Sequence, residues 1–300
     1  MELEWGFVVS EINNTKDMSL NFGGRKLPSD ITSYDLLKTI AVVLMIIDHI
    51  GMYFFPDDLW WRSIGRLCVP IWFFLIGYAR SRDIPVKLWA GALLLVVADV
   101  IVGRTLLPLN ILFTIMAVRL LLDPVMRLSL KGPVWMVMIA FALVALAVPS
   151  SFLGEYGVLG LIAAMYGYMV RHRDTIVSET LLHCYMVFAF LIFIVLQHLS
   201  FGFDPQQLSV MTLGVLIIGL SLLWFKSQTF PELGAALPVG VTWGLQFGGR
   251  RTLEIYVVHL VAFKCIALAL GLDGYGLFEF EVVDDGMFQL LALITTFREG

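Results

Sequence analysis

Two ionisable residues, Asp48 and His49, lie side by side within the otherwise apolar run of residues 34–55. That run is long enough to cross a bilayer as an α-helix, because each helical residue adds about 1.5 Å. An aspartate near the centre of such a span costs about 3 kcal/mol on insertion scales, and ionisable residues at that depth usually have a function. The pair is therefore the first candidate for chemistry in this chain.

Helical geometry separates these two residues. Successive residues of an α-helix are rotated by about 100°, so Asp48 points away from His49 and cannot orient its imidazole ring. Asp35 and Lys38, in contrast, lie within about 40° and about 20° of His49 around the helix axis. On this polar stripe His49 is the candidate general base, because an imidazole with a pKa of about 6.5 exchanges protons readily near neutral pH.

Partners for the pair must come from other helices. A carboxylate is expected to hold the second ring nitrogen of the histidine, and the candidates are Asp99 and Glu254. Asp48 is expected to face Arg66 or Arg119. In a plainer alternative, Asp99 and Arg119 pair only with each other inside the bundle.

Composition indicates the class of protein. Hydrophobic residues make up 59% of the 300 residues and charged residues 15%, against about 25% charged residues in soluble domains. The mean hydropathy is +0.86. These values predict an all-α polytopic integral membrane protein, with the lipid bilayer as its surroundings and no nucleic-acid partner. Cys68, Cys184 and Cys265 lack the spacing of a zinc site, so no metal site is predicted.

Apolar runs between short polar or Pro/Gly loops predict nine membrane spans. These cover residues 34–55, 64–79, 86–103, 106–122, 133–149, 156–170, 180–200, 208–225 and 252–271. Residues 233–247 are a candidate tenth span or re-entrant segment, and residues 287–297 a candidate interfacial helix. The expectation is a bundle of about nine or ten transmembrane helices in one domain (residues 34–271), with an N-terminal cytoplasmic segment (1–33) and a C-terminal tail (272–300). The N-terminal segment has no apolar signal-peptide region, so the first span is expected to start insertion.

The distribution of basic residues predicts the orientation. With the N-terminus in the cytoplasm, most Lys and Arg residues fall in cytoplasmic segments. Those outside are Arg62, Arg66, Arg104 and Arg298. This bias is the positive-inside pattern, and it predicts a cytoplasmic N-terminus.

Three stretches resemble the membrane-bound acyltransferases of the acyltransferase-3 type. They are the first span, with Lys38 eleven residues before His49; VPIWFFLIGYARSR (Val69–Arg82), a Phe-rich helix followed by arginines; and FGGRRTLEIYVVHL (Phe247–Leu260), which is similar to a late S-x-x-I-Y-x-x-H helix. The Asp-His pair and IGRLCVP (Ile64–Pro70) narrow the resemblance to the TraX family. Lys38, Ile76 and Thr252 stand where the wider pattern has Arg, Ser and Ser. Lysine keeps the charge of arginine without its bidentate fork.

This resemblance implies an acyltransferase in the bacterial inner membrane. It would move an acetyl group from acetyl-CoA, a co-substrate rather than a permanently bound cofactor, to a peptide N-terminal amine such as that of a pilin, or to a glycan hydroxyl. His49 would be the base, with Asp48 and His259 as further catalytic residues. Tyr256 and the basic residues of the cytoplasmic mouth would bind donor or substrate, because acetyl-CoA carries phosphates. At the cytoplasmic mouth these are Lys38, Arg80, Arg82, Arg250 and Arg251, and Arg66 is a further candidate for binding substrate or donor from the other side.

Other interpretations remain open for several of these residues. In one alternative, Arg80 and Arg82 serve only to set the orientation of the chain in the membrane. In another, Arg250 forms a local ion pair with Glu254, four residues later on the chain. His259, which shares a helix face with Tyr256, also fits a purely structural role as a hydrogen-bonding residue between helices. A different class of function is a proton-coupled transporter, in which the buried aspartates and histidines form a relay; these are Asp48, His49, Asp99 and His259.

Overall fold

A computed structural model of the chain describes residues 21–22, 25–26, 30–174 and 178–283. Within them the chain is about 75% helical, with strands of only two residues each. The helices are α1 (Ser33–Phe54), α2 (Leu59–Gly65), α3 (Cys68–Tyr78), α4 (Val86–Val102), α5 (Ile111–Ser129), α6 (Pro133–Ser151), α7 (Gly157–Arg171), α8 (Glu179–Phe201), α9 (Pro205–Leu223), α10 (Pro231–Ala236), α11 (Val239–Arg250) and α12 (Thr252–Ala269). The predicted all-α membrane bundle is confirmed. The predicted interfacial helix at residues 287–297 lies outside the described residues.

Four two-residue strands accompany the helices. They are β1 (Asn21–Phe22), β2 (Arg25–Lys26), β3 (Ile31–Thr32) and β4 (Thr229–Phe230). Strand β1 pairs antiparallel with β2, and β3 pairs antiparallel with β4, with Ile31 opposite Phe230.

The chain divides into two compact units. The first contains residues 1–39 and 226–250, and the second contains residues 40–225 and 251–300. Helix α1 contributes to both, because the boundary falls within it. The predicted three-part division of the chain stays a prediction.

In the first unit, a capping box sets the start of α1. The Thr32 hydroxyl accepts from the Asp35 backbone N–H at 3.1 Å, and the Asp35 carboxylate accepts from the Thr32 N–H at 3.1 Å. Two backbone donors of the first turn are thereby satisfied. In the same unit, the apolar run predicted at 233–247 forms two helices of 6 and 12 residues with Pro238 between them. Each is shorter than the roughly 20 residues that a span requires.

Each of the nine predicted spans coincides with a helix, with two shifts of boundary. The span predicted at 64–79 begins at Leu59 and is divided by a turn at 66–67. Pro70 lies in the first turn of α3, where its missing N–H is not needed. The helix predicted at 106–122 runs from Ile111 to Ser129, because the Asn110 side chain caps it by accepting from Leu112 N.

Six helical segments of the described chain are long and apolar enough to cross a membrane. They are Ser33–Phe54, Leu59–Tyr78, Pro133–Ser151, Glu179–Phe201, Pro205–Leu223 and Thr252–Ala269. Their outward faces carry apolar side chains, as at Val134 and Phe141 of α6, which are 70% and 77% exposed. Exposed apolar faces of this kind suit contact with lipid. The chain is therefore a multi-pass membrane protein, and the count of nine or ten spans stays a prediction.

The centre of the second unit is the contact between α3 and α7. Gly77 faces the carbonyl oxygen of Ala164, and Gly167 faces that of Phe74, so closely that a Cβ at either glycine would collide with backbone. Small residues at such positions let two helix backbones approach within a membrane bundle. This tight pair provides the rigid frame for the sites at its two ends.

Candidate functional site

Two histidines from distant parts of the sequence meet within the second unit. Nδ1 of His49 on α1 lies 2.7 Å from Nε2 of His259 on α12, and the two rings are stacked with centroids 4.9 Å apart. His259 is in turn anchored to its own helix, because its Nδ1 lies 2.6 Å from the carbonyl oxygen of Ile255. Sequence reasoning named both histidines but did not pair them.

The carbonyl group determines where the protons of this histidine pair lie. A carbonyl oxygen only accepts hydrogen bonds, so Nδ1 of His259 carries a hydrogen. In an uncharged ring, Nε2 of His259 is then the acceptor, and Nδ1 of His49 must donate to it. The remaining nitrogen of His49, Nε2, therefore keeps its lone pair. A histidine held in this tautomer is arranged to act as a proton acceptor.

Asp48 faces away from the histidines and pairs with two arginines. Its Oδ2 lies 3.0 Å from Nη1 of Arg62 and its Oδ1 lies 3.4 Å from Nε of Arg66. Asp48 and Arg62 are buried, and Arg66 is largely so. Nη1 of Arg62 also donates to the Asp48 carbonyl oxygen at 2.9 Å. Gly65 lies against the backbone of Asp48, where a Cβ would collide. The predicted divergence of Asp48 from His49 is confirmed, as is its pairing with Arg66; Arg62 was not foreseen.

A cavity of about 330 Å³ joins these groups, and we call it the histidine cavity. Its polar lining includes Asp48, His49, Arg62, Arg66, Glu155, Tyr156, Gln197 and Ser200. Arg66 donates to the hydroxyl oxygen of Tyr156, and its guanidinium also lies 4.8 Å from the ring centroid of Phe201. The cavity thus brings an imidazole, a carboxyl group and oriented hydrogen-bond donors to one space.

Glu155 is a lining residue that the sequence did not point to, as are Arg62 and Tyr156. Its Oε2 accepts from the backbone N–H of Ile111 at 3.1 Å. Burial raises the pKa of the Glu155 carboxyl from 4.5 to about 7, although the positive charge of Arg66 lowers it. The signal in the sequence was an acidic residue in the Gly-Glu-Tyr-Gly turn between two apolar runs. Its importance depends on tertiary burial, which the local sequence does not reveal.

Tyr256 lies beside the histidine pair. Its ring centroid is 5.9 Å from that of His49 and 5.9 Å from that of His259, and its side chain is buried. The structure thus places Tyr256 with the candidate catalytic residues. Its predicted role in binding substrate stays a prediction.

The two carboxylates expected to hold the His49 ring are engaged elsewhere. Asp99 forms a buried ion pair with Lys264. Glu254 lies 3.6 Å from Arg251 and 4.0 Å from Lys87. The expectation of a carboxylate partner was therefore wrong, and His259 occupies that place.

The predicted pairings of Arg119 were also wrong. Its Nη1 donates to the carbonyl oxygen of Asp83 at 2.6 Å, before the start of α4. Asp99 lies near the opposite end of α4, so the helix length separates them. Arg119 thus contacts the segment before α4, whereas Asp99 pairs with Lys264 of α12.

A second cavity, of about 300 Å³, lies at the other end of α7, and we call it the arginine cleft. It is lined by Ala79, Arg80, Arg82, Asp123, Arg127, Tyr168, Arg171 and His172. Arg82 donates to the carbonyl oxygens of Ile76, Gly77 and Ala79, so it caps the C-terminus of α3 besides pairing with Asp123. Arg80 and Arg127 are exposed. The ring of His172 stacks on Tyr168 at 4.2 Å, which forms a flat aromatic surface beside the arginines.

In the first unit, the remaining predicted residues form contacts of their own. Nη2 of Arg250 lies 3.1 Å from Oδ2 of Asp35, with both side chains buried, and it also donates to the carbonyl oxygen of Asp30 at 3.1 Å. Arg250 thereby fastens the residues before α1 to the end of α11. The ammonium of Lys38 lies 6.0 Å from the ring centroid of Tyr34. The predicted donor contacts of Lys38, Arg250 and Arg251 stay predictions.

Comparison with known proteins places this site in a family. An uncharacterised protein of Rickettsia prowazekii (strain Madrid E) is 38% identical over 85 residues, which are 28% of this chain and 34% of that protein. Protein TraX of Escherichia coli is 28% identical over 157 residues, which are 50% of this chain and 61% of TraX. The chain thus matches less than two thirds of either relative. No solved structure matches significantly. The TraX protein family matches residues 33–267, a range that contains the histidine pair and both cavities, and the chain therefore belongs to the TraX family.

Proposed function

We propose that this protein is a membrane-embedded acyltransferase that moves an acetyl group from acetyl-CoA to an acceptor at or across the membrane. The observation that carries the proposal is the His49–His259 hydrogen bond, with its proton positions set by the Ile255 carbonyl. That arrangement leaves Nε2 of His49 as a base on a residue that lines the histidine cavity. Acyl transfer needs such a base, because the acceptor must lose a proton as it attacks the thioester.

In the proposed reaction, His49 takes one proton from the acceptor and later returns it to the leaving group. Nε2 of His49 takes a proton from the acceptor as its oxygen or nitrogen attacks the acetyl carbonyl. His259 stabilises the resulting imidazolium by accepting from Nδ1 of His49. When the tetrahedral intermediate collapses, the C–S bond breaks and His49 returns the proton to the coenzyme A sulfur. His259 is thus a positioning residue, in the part that a carboxylate takes in hydrolytic triads.

Tyr156 is suited to stabilise the oxyanion of that intermediate. Arg66 donates to the Tyr156 oxygen, so the hydroxyl hydrogen remains available to a second acceptor. Donors already oriented before the reaction stabilise developing charge without the cost of reorganisation. The Asp48–Arg62–Arg66 cluster holds this donor in place.

The arginine cleft is the proposed binding site for the nucleotide part of acetyl-CoA. Arg80 and Arg127 offer exposed guanidinium groups for phosphates, and the Tyr168–His172 stack offers a face for the adenine ring. The positive-inside pattern would put this cleft at the cytoplasm, where acetyl-CoA is made, with the N-terminus on the same side of a bacterial inner membrane. The length of α7 separates the two cavities by about 22 Å, so the acyl arm of the donor must extend through the bundle.

The proposed acceptor is a peptide N-terminal amine or a glycan hydroxyl. Membership of the TraX family favours the peptide amine, such as that of a pilin subunit. An acceptor held outside the cytoplasm would reach the histidine cavity from the side opposite the donor.

The test is acetyl transfer by the purified protein in liposomes. Isotope-labelled acetyl-CoA is supplied with a peptide amine or a glycan, and labelled product is measured. We expect transfer by the wild type and a loss of at least about 100-fold in His49→Ala, because general-base catalysis contributes about 10²–10⁴-fold. His183→Ala is the matched control, because His183 is an exposed histidine on α8. A folded His49→Ala protein with the wild-type rate would refute the proposal.

A proton-coupled transporter is the second candidate, and the buried Lys264–Asp99 pair favours it. This pair joins α4 to α12, and neither residue lines the histidine cavity. Buried ion pairs of this kind also serve proton relays in transporters. Substrate-dependent proton flux in the same liposomes, without acyl transfer, would support this function instead.

A further inference from the structure

The proton balance of acetyl transfer differs between the two acceptor classes, and the present inference rests on the proposed function. A hydroxyl loses one proton, which His49 takes and then returns to the departing thiolate. A protonated amine loses two protons. The first must leave before the attack, because an ammonium nitrogen has no lone pair, and the second leaves after it. The products are an amide, a thiol and one released proton, so a site for amines needs a proton acceptor besides His49.

Glu155 has the position that such a group requires. It lines the histidine cavity together with His49. Its backbone N–H donates to the Leu109 carbonyl at 2.9 Å, and its own carbonyl oxygen accepts from the Thr114 hydroxyl at 2.7 Å. With Oε2 accepting from Ile111 N, the residue is held on both its backbone and its side chain. A group fixed in this way presents its carboxyl group to the cavity in one orientation.

The neighbouring backbone shows that this corner is held under strain. Tyr156 has a φ of 66°, in the left-handed region that residues other than glycine rarely adopt. Such a conformation persists where surrounding contacts enforce it. Here those contacts are the hydrogen bond from Arg66 and the edge of Phe73, whose ring centroid is 6.0 Å from that of Tyr156. These contacts, together with the hydrogen bonds of Glu155, hold both residues at the cavity wall.

Three charged groups from other elements act on Glu155. These are Arg66 at the turn between α2 and α3, Lys264 on α12 and Asp99 on α4, of which the two cations lower its pKa and Asp99 raises it. Both cations already have carboxylate partners, since Arg66 pairs with Asp48 and Lys264 with Asp99. Desolvation therefore dominates, and the pKa of the carboxyl rises to about 7. That value is close to the pKa of a peptide α-amino group, about 7.7–8.0, so a proton can pass between them at little cost.

We propose that Glu155 is a second catalytic residue, which accepts the first proton from a protonated amine acceptor in the histidine cavity. The neutral amine then attacks the acetyl carbon, and His49 takes the second proton and delivers it to the coenzyme A sulfur as the C–S bond breaks. Glu155 releases its proton to water after the amide leaves. This role of Glu155 applies to an amine acceptor that binds as its ammonium ion, because a hydroxyl acceptor loses only the proton that His49 takes.

The experiment compares Glu155→Gln with wild type, using a short peptide with a free N-terminal amine and labelled acetyl-CoA in liposomes, between pH 6 and 9.5. Glutamine keeps an oxygen for the Ile111 N–H but cannot take a proton. We expect kcat/KM to fall about 6–10-fold near pH 7, where only about a tenth of the amine arrives neutral, and to approach the wild-type value above pH 9, where nearly all of it does. Glu179→Gln is the matched control, because Glu179 is an exposed carboxylate at the start of α8 that pairs with Arg173 and does not line the histidine cavity.

The possible outcomes separate this inference from the proposed function. If the wild type transfers acetyl to no acceptor, the proposed function fails, and the assignment of Glu155 fails with it. If the wild type is active and Glu155→Gln matches it at pH 7, only the role of Glu155 is refuted. An equal loss at every pH would show a structural role and would also overturn it. Should the glutamine variant not fold, Glu155→Asp decides: it keeps a carboxyl group, so we expect reduced activity with the wild-type pH dependence, and a changed dependence contradicts the assignment.

Discussion

Helix α7 begins at the histidine cavity and ends at the arginine cleft, and arginines are paired differently at its two ends. At the histidine cavity, Arg62 and Arg66 share Asp48, with side-chain exposures of 8% and 14%. At the cleft, Arg82 pairs with Asp123, whose side chain is 39% exposed, and Arg171 donates to the carbonyl oxygen of Tyr78. Charges without access to water must balance one another, whereas charges at an open cleft remain available for a diffusible anion. The first arrangement suits fixed catalytic geometry, and the second suits reversible binding.

The largest expected effect comes from removing the shared carboxylate of the histidine cavity. Asp48→Asn leaves two buried guanidinium groups without a counter-charge, which costs about 3–5 kcal/mol of stability when a buried pair is broken. Asp123→Asn in the cleft is the matched control and should cost less than about 1 kcal/mol, because its carboxylate is partly exposed. Thermal unfolding of both variants in the same detergent measures the difference. Equal losses would show that burial does not distinguish the two ends.

The second effect concerns the positioning of His49. His259→Ala removes the acceptor for Nδ1 of His49, so we expect kcat for acetyl transfer to fall about 100-fold while the protein stays folded. His259→Gln, whose side-chain oxygen reaches the position of Nε2 and can accept that hydrogen bond, should recover part of the rate. Labelled transfer and gel filtration are the measurements. If alanine and glutamine lose the same activity, His259 has no orienting role.

The smallest effect is expected at the cleft. Arg127→Ala removes one exposed cation, so we expect the KM for acetyl-CoA to rise about 3–10-fold with kcat unchanged. The rise should shrink at high salt, because exposed charges are screened. Lys131→Ala, at an exposed lysine that lies 5.5 Å from the Trp135 ring, is the control. A lower kcat in Arg127→Ala would place this arginine in the chemistry and remove the contrast between the two ends.

Much of the fold could be predicted because helices in a membrane are encoded locally. Apolar runs predicted seven of the nine expected spans within three residues of the helices found, and the 100° rotation per residue correctly separated Asp48 from His49. The failures were of another kind. The turn at residues 66–67 divides one predicted span and the Asn110 cap moves the start of another, because turns and caps depend on the neighbouring backbone.

The partners at the site could not be predicted in the same way. Nothing in the sequence near Asp99 shows that its partner is Lys264, which lies 165 residues away in the chain. Glu155 was missed because an acidic residue in a turn is ordinarily solvated, and only the packing of surrounding helices desolvates it.

The sequence by itself determined that the chain is a helical membrane protein, which residues form its helices, and that an aspartate and a histidine lie at membrane depth on different helix faces. These properties follow from hydropathy and helical periodicity, which act over a few residues. The tertiary structure alone decided that His259 holds His49, that two arginines share Asp48, and that Glu155 lines the same cavity. Those contacts join residues that are far apart in the chain, and they depend on how the helices pack.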